Sequence, residues 1–89
     1  MATDDQIRTE ILTALDAAFA GNWDRAHAIV QRHEAITLAD WLHAVLHRIE
    51  GDKENAAYWY ARAGRDPHAF ETAEAELAAI AAEIGHKPR

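Results

Sequence analysis

Residues 20–30, AGNWDRAHAIV, align with residues 50–60, EGDKENAAYWY, at an offset of thirty, and the fold is read from that alignment. Gly21 falls on Gly51, Asn22 on Asp52 and Ala26 on Ala56. A glycine takes the left-handed conformation that closes a helix without a Cβ penalty. An Asn or Asp directly after it accepts a hydrogen bond from the first turn of the next helix. Each copy is therefore the end of one helix, a two-residue turn, and a second helix with a small residue in its first turns. A unit that recurs in this way is a helical-hairpin repeat.

The same end signals, followed outward, predict five helices over about residues 4–20, 22–34, 37–50, 52–64 and 66–84, in one domain spanning 1–89. Thr3, Asp4 or Asp5 caps the first, with Ile7, Ile11, Ala14, Leu15 and Ala18 on one face. Trp23, Ala26, His27 and Val30 form the stripe of the second. Thr37 is the expected N-cap of the third, with Asp40 as its box partner and Leu38, Leu42, Val45, Leu46 and Ile49 along one stripe. Ala56, Trp59, Tyr60 and Ala63 share a face of the fourth, and Gly64 ends it. Asp66-Pro67 is the expected start of the fifth, in which Phe70, Ala73, Leu77, Ile80 and Ile84 recur at helical spacing. The tail 85–89 is expected to be loose. Short connections between helices of similar length imply antiparallel neighbours.

Composition agrees with an all-α chain. Nearly a quarter of the 89 residues are alanine, with two prolines and four glycines. The hydrophobic fraction is 49%, but alanine buries little area, so the core rests on three tryptophans and a modest set of Leu, Ile, Val, Phe and Tyr. The absence of cysteine removes disulfides, thiolate nucleophiles and cysteine-ligated zinc, and is in keeping with a reducing, cytoplasmic setting. A net charge of −6 argues against nucleic acid as a partner. No apolar run approaches the roughly 18 residues needed to cross a membrane, and the N-terminal MATDDQIRTE has no signal-peptide pattern. Catalysis has little to work with: serine is absent, and no glycine-rich phosphate loop occurs. No enzyme activity and no cofactor are expected.

The pattern G-D-x-x-x-A-x-x-W-Y-x-R-A, Gly51 to Ala63, resembles the second helix of a tetratricopeptide repeat, with Pro67 where such repeats often place a proline. The resemblance implies about two and a half tetratricopeptide-like hairpins, with the last helix acting as a cap. The stretch Trp23 to Gly64 also resembles small bacterial proteins of unassigned function, which implies no activity.

The third helix carries the candidate site. Asp40, His43 and His47 stand on one face, roughly opposite the apolar stripe. If the fourth helix returns alongside, that flank meets Asn55, Tyr58, Trp59 and Arg62. Three uses of this surface compete. Two imidazoles at i and i+4 with Asp40 can ligate a metal, although the position after His43 is Ala44 where the zinc-peptidase pattern needs Glu. Asp40, His43, His47, Asn55, Tyr58 and Arg62 can bind a peptide or an anionic ligand on the concave face of the repeats, beside Glu10, Thr13 and Ala17. The histidines can also simply pack between helices. His27, beside Trp23, is expected to be buried packing, and His33, His68 and His86 are expected to be solvated. Glu71, Glu74, Glu76 and Glu83 give the last helix an acidic, solvated face that can steer a basic partner. The leading expectation is a non-enzymatic module that binds a protein or peptide. The alternatives are a homodimer paired through the fifth helix, or a histidine-based metal or anion binder.

Overall fold

The computed structural model describes residues 3–85. It contains α1 (Asp4–Phe19), α2 (Trp23–Gln31), α3 (Thr37–Glu50), α4 (Lys53–Ala63) and α5 (Ala73–Gly85), and no strand among the described residues.

The sequence repeat is reproduced bond for bond at its two turns. Gly21 and Gly51 are both left-handed, with φ of 79° and 87°. The N–H of Asn22 donates to Ala17 O at 2.8 Å, and that of Asp52 donates to His47 O at 2.9 Å. The side chains of Asn22 and Asp52 then accept from Arg25 N and Asn55 N at 3.3 and 3.1 Å. Ala26 and Ala56 are both buried, as close contact between helices requires. Thr3 opens α1 with a complete capping box to Gln6.

Helix α3 lies at the centre. Every residue from Ala39 to His47 is buried, a run of two and a half turns that covers all faces of the helix. It packs against α4, α5, α2 and α1, while α1 packs on α2. Leu42, Val45 and Leu46 have no accessible surface and meet Ile11, Leu15, Val30 and Ile80 in one core. Helix α5 lies across α1 and α3, and it reaches α4 through a side-chain bond from Tyr60 to Glu76. Arg8 Nε donates to Ile84 O at 2.9 Å and ties the last turn of α5 to α1.

Several expectations are corrected. Helix α5 begins at Ala73 rather than near residue 66, because Asp66 spends its side chain on the N–H of His68 in a local turn. The true cap is Thr72, whose hydroxyl accepts from Ala75 N at 3.0 Å. Helix α2 ends at Gln31, short of residue 34, and the connection passes through Ala35 with φ of 76°. Thr37 is not the N-cap of α3. Ile36 holds that position without a side-chain bond, and the Asp40 carboxylate accepts from Ala35 N at 3.2 and 3.3 Å. Ile49, placed on the apolar stripe, is 46% exposed. Leu77, Ile80 and Ile84 are buried against the protein's own α1 and α3, so the apolar edge offered for pairing with a second copy is covered within the chain. Of the tail predicted to be loose, Gly85 closes α5 and residues 86–89 lie outside the described residues.

Candidate functional site

Helices α2, α3 and α4 meet in a layer of aromatic rings. His43 and His47, one turn apart on α3, stack with centroids 5.1 Å apart and an interplanar angle of 23°. His27 enters from α2, with its centroid 4.8 Å from His43 and 5.2 Å from His47, edge-on to both. The three imidazoles therefore form a nearly equilateral triangle. Two indoles enclose it: Trp59 of α4 stacks on His43 at 3.9 Å, and Trp23 stacks on His27 at 4.5 Å. Trp23 is itself fixed, because its indole N–H donates to Leu46 O at 2.6 Å.

The ring nitrogens converge. His27 Nε2 and His43 Nε2 are 3.1 Å apart, and one nitrogen from each of the three rings falls within 4.8 Å of the others. His47 Nδ1 lies against a Glu50 carboxylate oxygen. A carboxylate only accepts, so His47 donates there from Nδ1. His43 Nδ1 is buried and has no partner. Burial pushes the His43 imidazole far below the usual histidine range, to about 3, helped by the nearby His27 and His47. Burial also lowers His27, and the neighbouring His47 adds to the effect. Burial thus favours the neutral imidazole at His43 and His27, each with a lone pair on one ring nitrogen.

Of the six residues the sequence assigned to a binding surface, His43 and His47 are at the centre of this layer, at 2% and 7% exposure. Asp40 is also buried, and burial raises its pKa against the opposing effects of the Ala35 N–H and Arg62. Arg62 Nε sits 3.8 Å from Asp40, and an Arg62 N–H donates to the Tyr58 hydroxyl at 3.2 Å. Asn55 joins neither group; its amide donates to Asp52 at 2.7 Å within the turn. The open concave face expected to carry Asp40, His43 and His47 is filled by side chains from α2 and α4.

The sequence reading left His27 out of the site, since its spacing from the α3 pair has no local signature. Two other polar residues it placed in solvent are buried. His33 closes the end of α2 on Glu10, its Nε2 at 2.9 Å from the carboxylate. Glu76 is 1% exposed and gathers three donors: the Trp41 indole at 2.8 Å, the Tyr60 hydroxyl at 2.7 Å and the Arg48 guanidinium at 2.8 Å. His68 is exposed as expected, and His86 lies outside the described residues.

A separate feature opens where α1 and α3 end beside the start of α5. Phe19 (52% exposed) and Ile49 line a cleft of about 530 Å³ together with Ala18, Ala73, Glu74 and Leu77. None of the described helices is long and apolar enough to cross a membrane. No protein family, no curated protein and no solved structure matches the chain.

Proposed function

We propose that this chain is a non-enzymatic interaction module, two tetratricopeptide-like antiparallel hairpins closed by α5, that binds a protein or peptide partner. The hairpin reading is supported by the two turns at residues 21–22 and 51–52, which share glycine conformation, capping bond and backbone closure. It departs from an extended array because α5 folds back over α1 and α3 instead of stacking on α4.

The observation that carries the binding role is the pair of exposed apolar side chains lining one cleft, Phe19 and Ile49. Single exposed apolar side chains are common, but two that line one concavity form a contiguous apolar surface of the kind that marks interaction sites. Glu74 lines the cleft and the chain carries a net charge of −6, so the partner offers an apolar anchor flanked by basic residues.

The test is amide NMR of the whole chain with short peptides carrying one Leu or Phe between lysines, compared with the same anchors between glutamates. The lysine series should shift Phe19, Ile49 and Leu77, and Ile49→Asp should remove the response. No response to either series removes this reading. If light scattering instead shows dimers that Ile49→Asp disperses, the cleft is a self-association surface.

A further inference from the structure

The histidine triangle lies apart from the cleft and asks for its own explanation. Packing alone accounts for it poorly. A buried polar ring is normally satisfied by hydrogen bonds, yet the only hydrogen bond among these three rings is the one between His27 and His43. It leaves His43 Nδ1 unpartnered in the interior, and that shortfall persists in either tautomer. An alanine-rich core could have filled the same space with aliphatic side chains at no such cost. Instead α2 and α3 bring their imidazoles together, nitrogen towards nitrogen, between the indoles of α2 and α4.

Three further observations concern the converging nitrogens, His27 Nε2 and His43 Nε2 foremost, rather than the unpartnered Nδ1. Neutral imidazoles are ligands for zinc-class ions, which bind at nitrogen distances of about 2.0–2.1 Å. Two nitrogens 3.1 Å apart, each at that distance from one ion, subtend about 100° at it, near the tetrahedral angle. Glu50 accepts from His47 Nδ1, the contact by which a carboxylate orients an imidazole that binds metal through its other nitrogen and fixes its tautomer.

We propose that His27, His43 and His47 form a binding site for a divalent zinc-class cation, one ion per chain. Glu50 acts as a positioning residue on His47. Three nitrogen donors leave a tetrahedral ion one further position, taken by water or a small anion. Trp23 and Trp59 hold the rings in place and keep their other faces dry.

A competing location exists on the same turn, where His47, Glu50 and Asp52 also lie within ligand distance of one another. The experiment therefore titrates Zn2+ into the full chain at neutral pH, read by calorimetry and by the imidazole NMR signals, for three proteins. In the unsubstituted chain, one ion should bind with a micromolar or tighter dissociation constant. The rings of His27, His43 and His47 should shift together while His33 and His68 stay still. His27→Gln should weaken binding at least about tenfold, the low end of what a mere outer-shell loss costs. Asp52→Asn keeps an N-cap and should leave affinity unchanged. Absence of binding in the unsubstituted chain overturns the proposal, and so does loss of binding in Asp52→Asn with retention in His27→Gln. Should His27→Gln disturb the apo fold by circular dichroism, Co2+ in the unsubstituted chain decides. An intense tetrahedral visible band is expected, and a weak octahedral one rejects the site.

Discussion

Glu76 and His43 are about equally hidden, at 1% and 2% exposure, and both serve polar clusters against the central helix α3, but the clusters obey different rules. At Glu76 the carboxylate is matched with three donors from α3 and α4, one of them a cation. Arg48 extends the network by donating to Phe70 O and Glu71 O at 3.0 and 3.1 Å, which pins the irregular segment before α5. Nothing there is left over. The histidine layer has the opposite character: three like groups face one another, the Glu50 carboxylate bonds to His47, and His43 Nδ1 has no partner among the described residues. A saturated network holds elements together. The proposed ion would draw instead on the converging nitrogens of the histidine layer.

Acid is the strongest way to separate the two. Unfolded, His43 takes up its proton near pH 6.5; folded, only near 3. Between those values the unfolded chain binds more protons, so stability is full above about pH 6.5 and falls as the pH drops towards 3. A shift of that size corresponds to roughly 4–5 kcal/mol across the window, and His27, also lowered, acts in the same direction. Urea denaturation at a series of pH values should show this slope, and His43→Phe, which retains a ring against Trp59, should flatten it.

Next in size is Glu76→Ala. It strands the Arg48 guanidinium, the Trp41 indole and the Tyr60 hydroxyl, and should cost about 3–5 kcal/mol, towards the lower figure because Arg48 is partly exposed. Chemical denaturation measures it; a loss below about 1 kcal/mol would put this cluster in the class of surface pairs. A smaller effect belongs to Trp23→Phe, which retains a ring on His27 but loses the bond to Leu46 O. About 1 kcal/mol is expected, with zinc affinity reduced less than by His27→Gln. The smallest is Tyr58→Ala. Tyr58 is 54% exposed, and its removal should stay within about 0.5 kcal/mol, with thermal melting nearly unchanged.

The sequence by itself determined the elements. Gly21-Asn22 and Gly51-Asp52 specify two turns through glycine conformation and side-chain capping, interactions that close within five residues and need no tertiary partner. Thr3, Gly64 and the stripe from Leu42 to Leu46 are legible for the same reason. Where local signals conflicted, the reading slipped: Asp66-Pro67 looks like a helix start, yet Thr72 captures the cap, because Arg48 holds residues 70 and 71 in an irregular course.

Only the tertiary structure decided the site. His27 meets His43 across 16 residues, Arg48 meets Glu76 across 28, and Trp41 meets Glu76 across 35. Such pairings depend on how helices cross, and a helical wheel carries no information about that. The wheel gives α3 a polar face bearing Asp40, His43 and His47, which an isolated helix would turn to water. Here α2 and α4 cover that face, so the residues most polar in sequence are among the most buried in the fold. Periodicity reports one buried side of a helix, whereas a helix enclosed on every side takes its second set of neighbours from the packing alone.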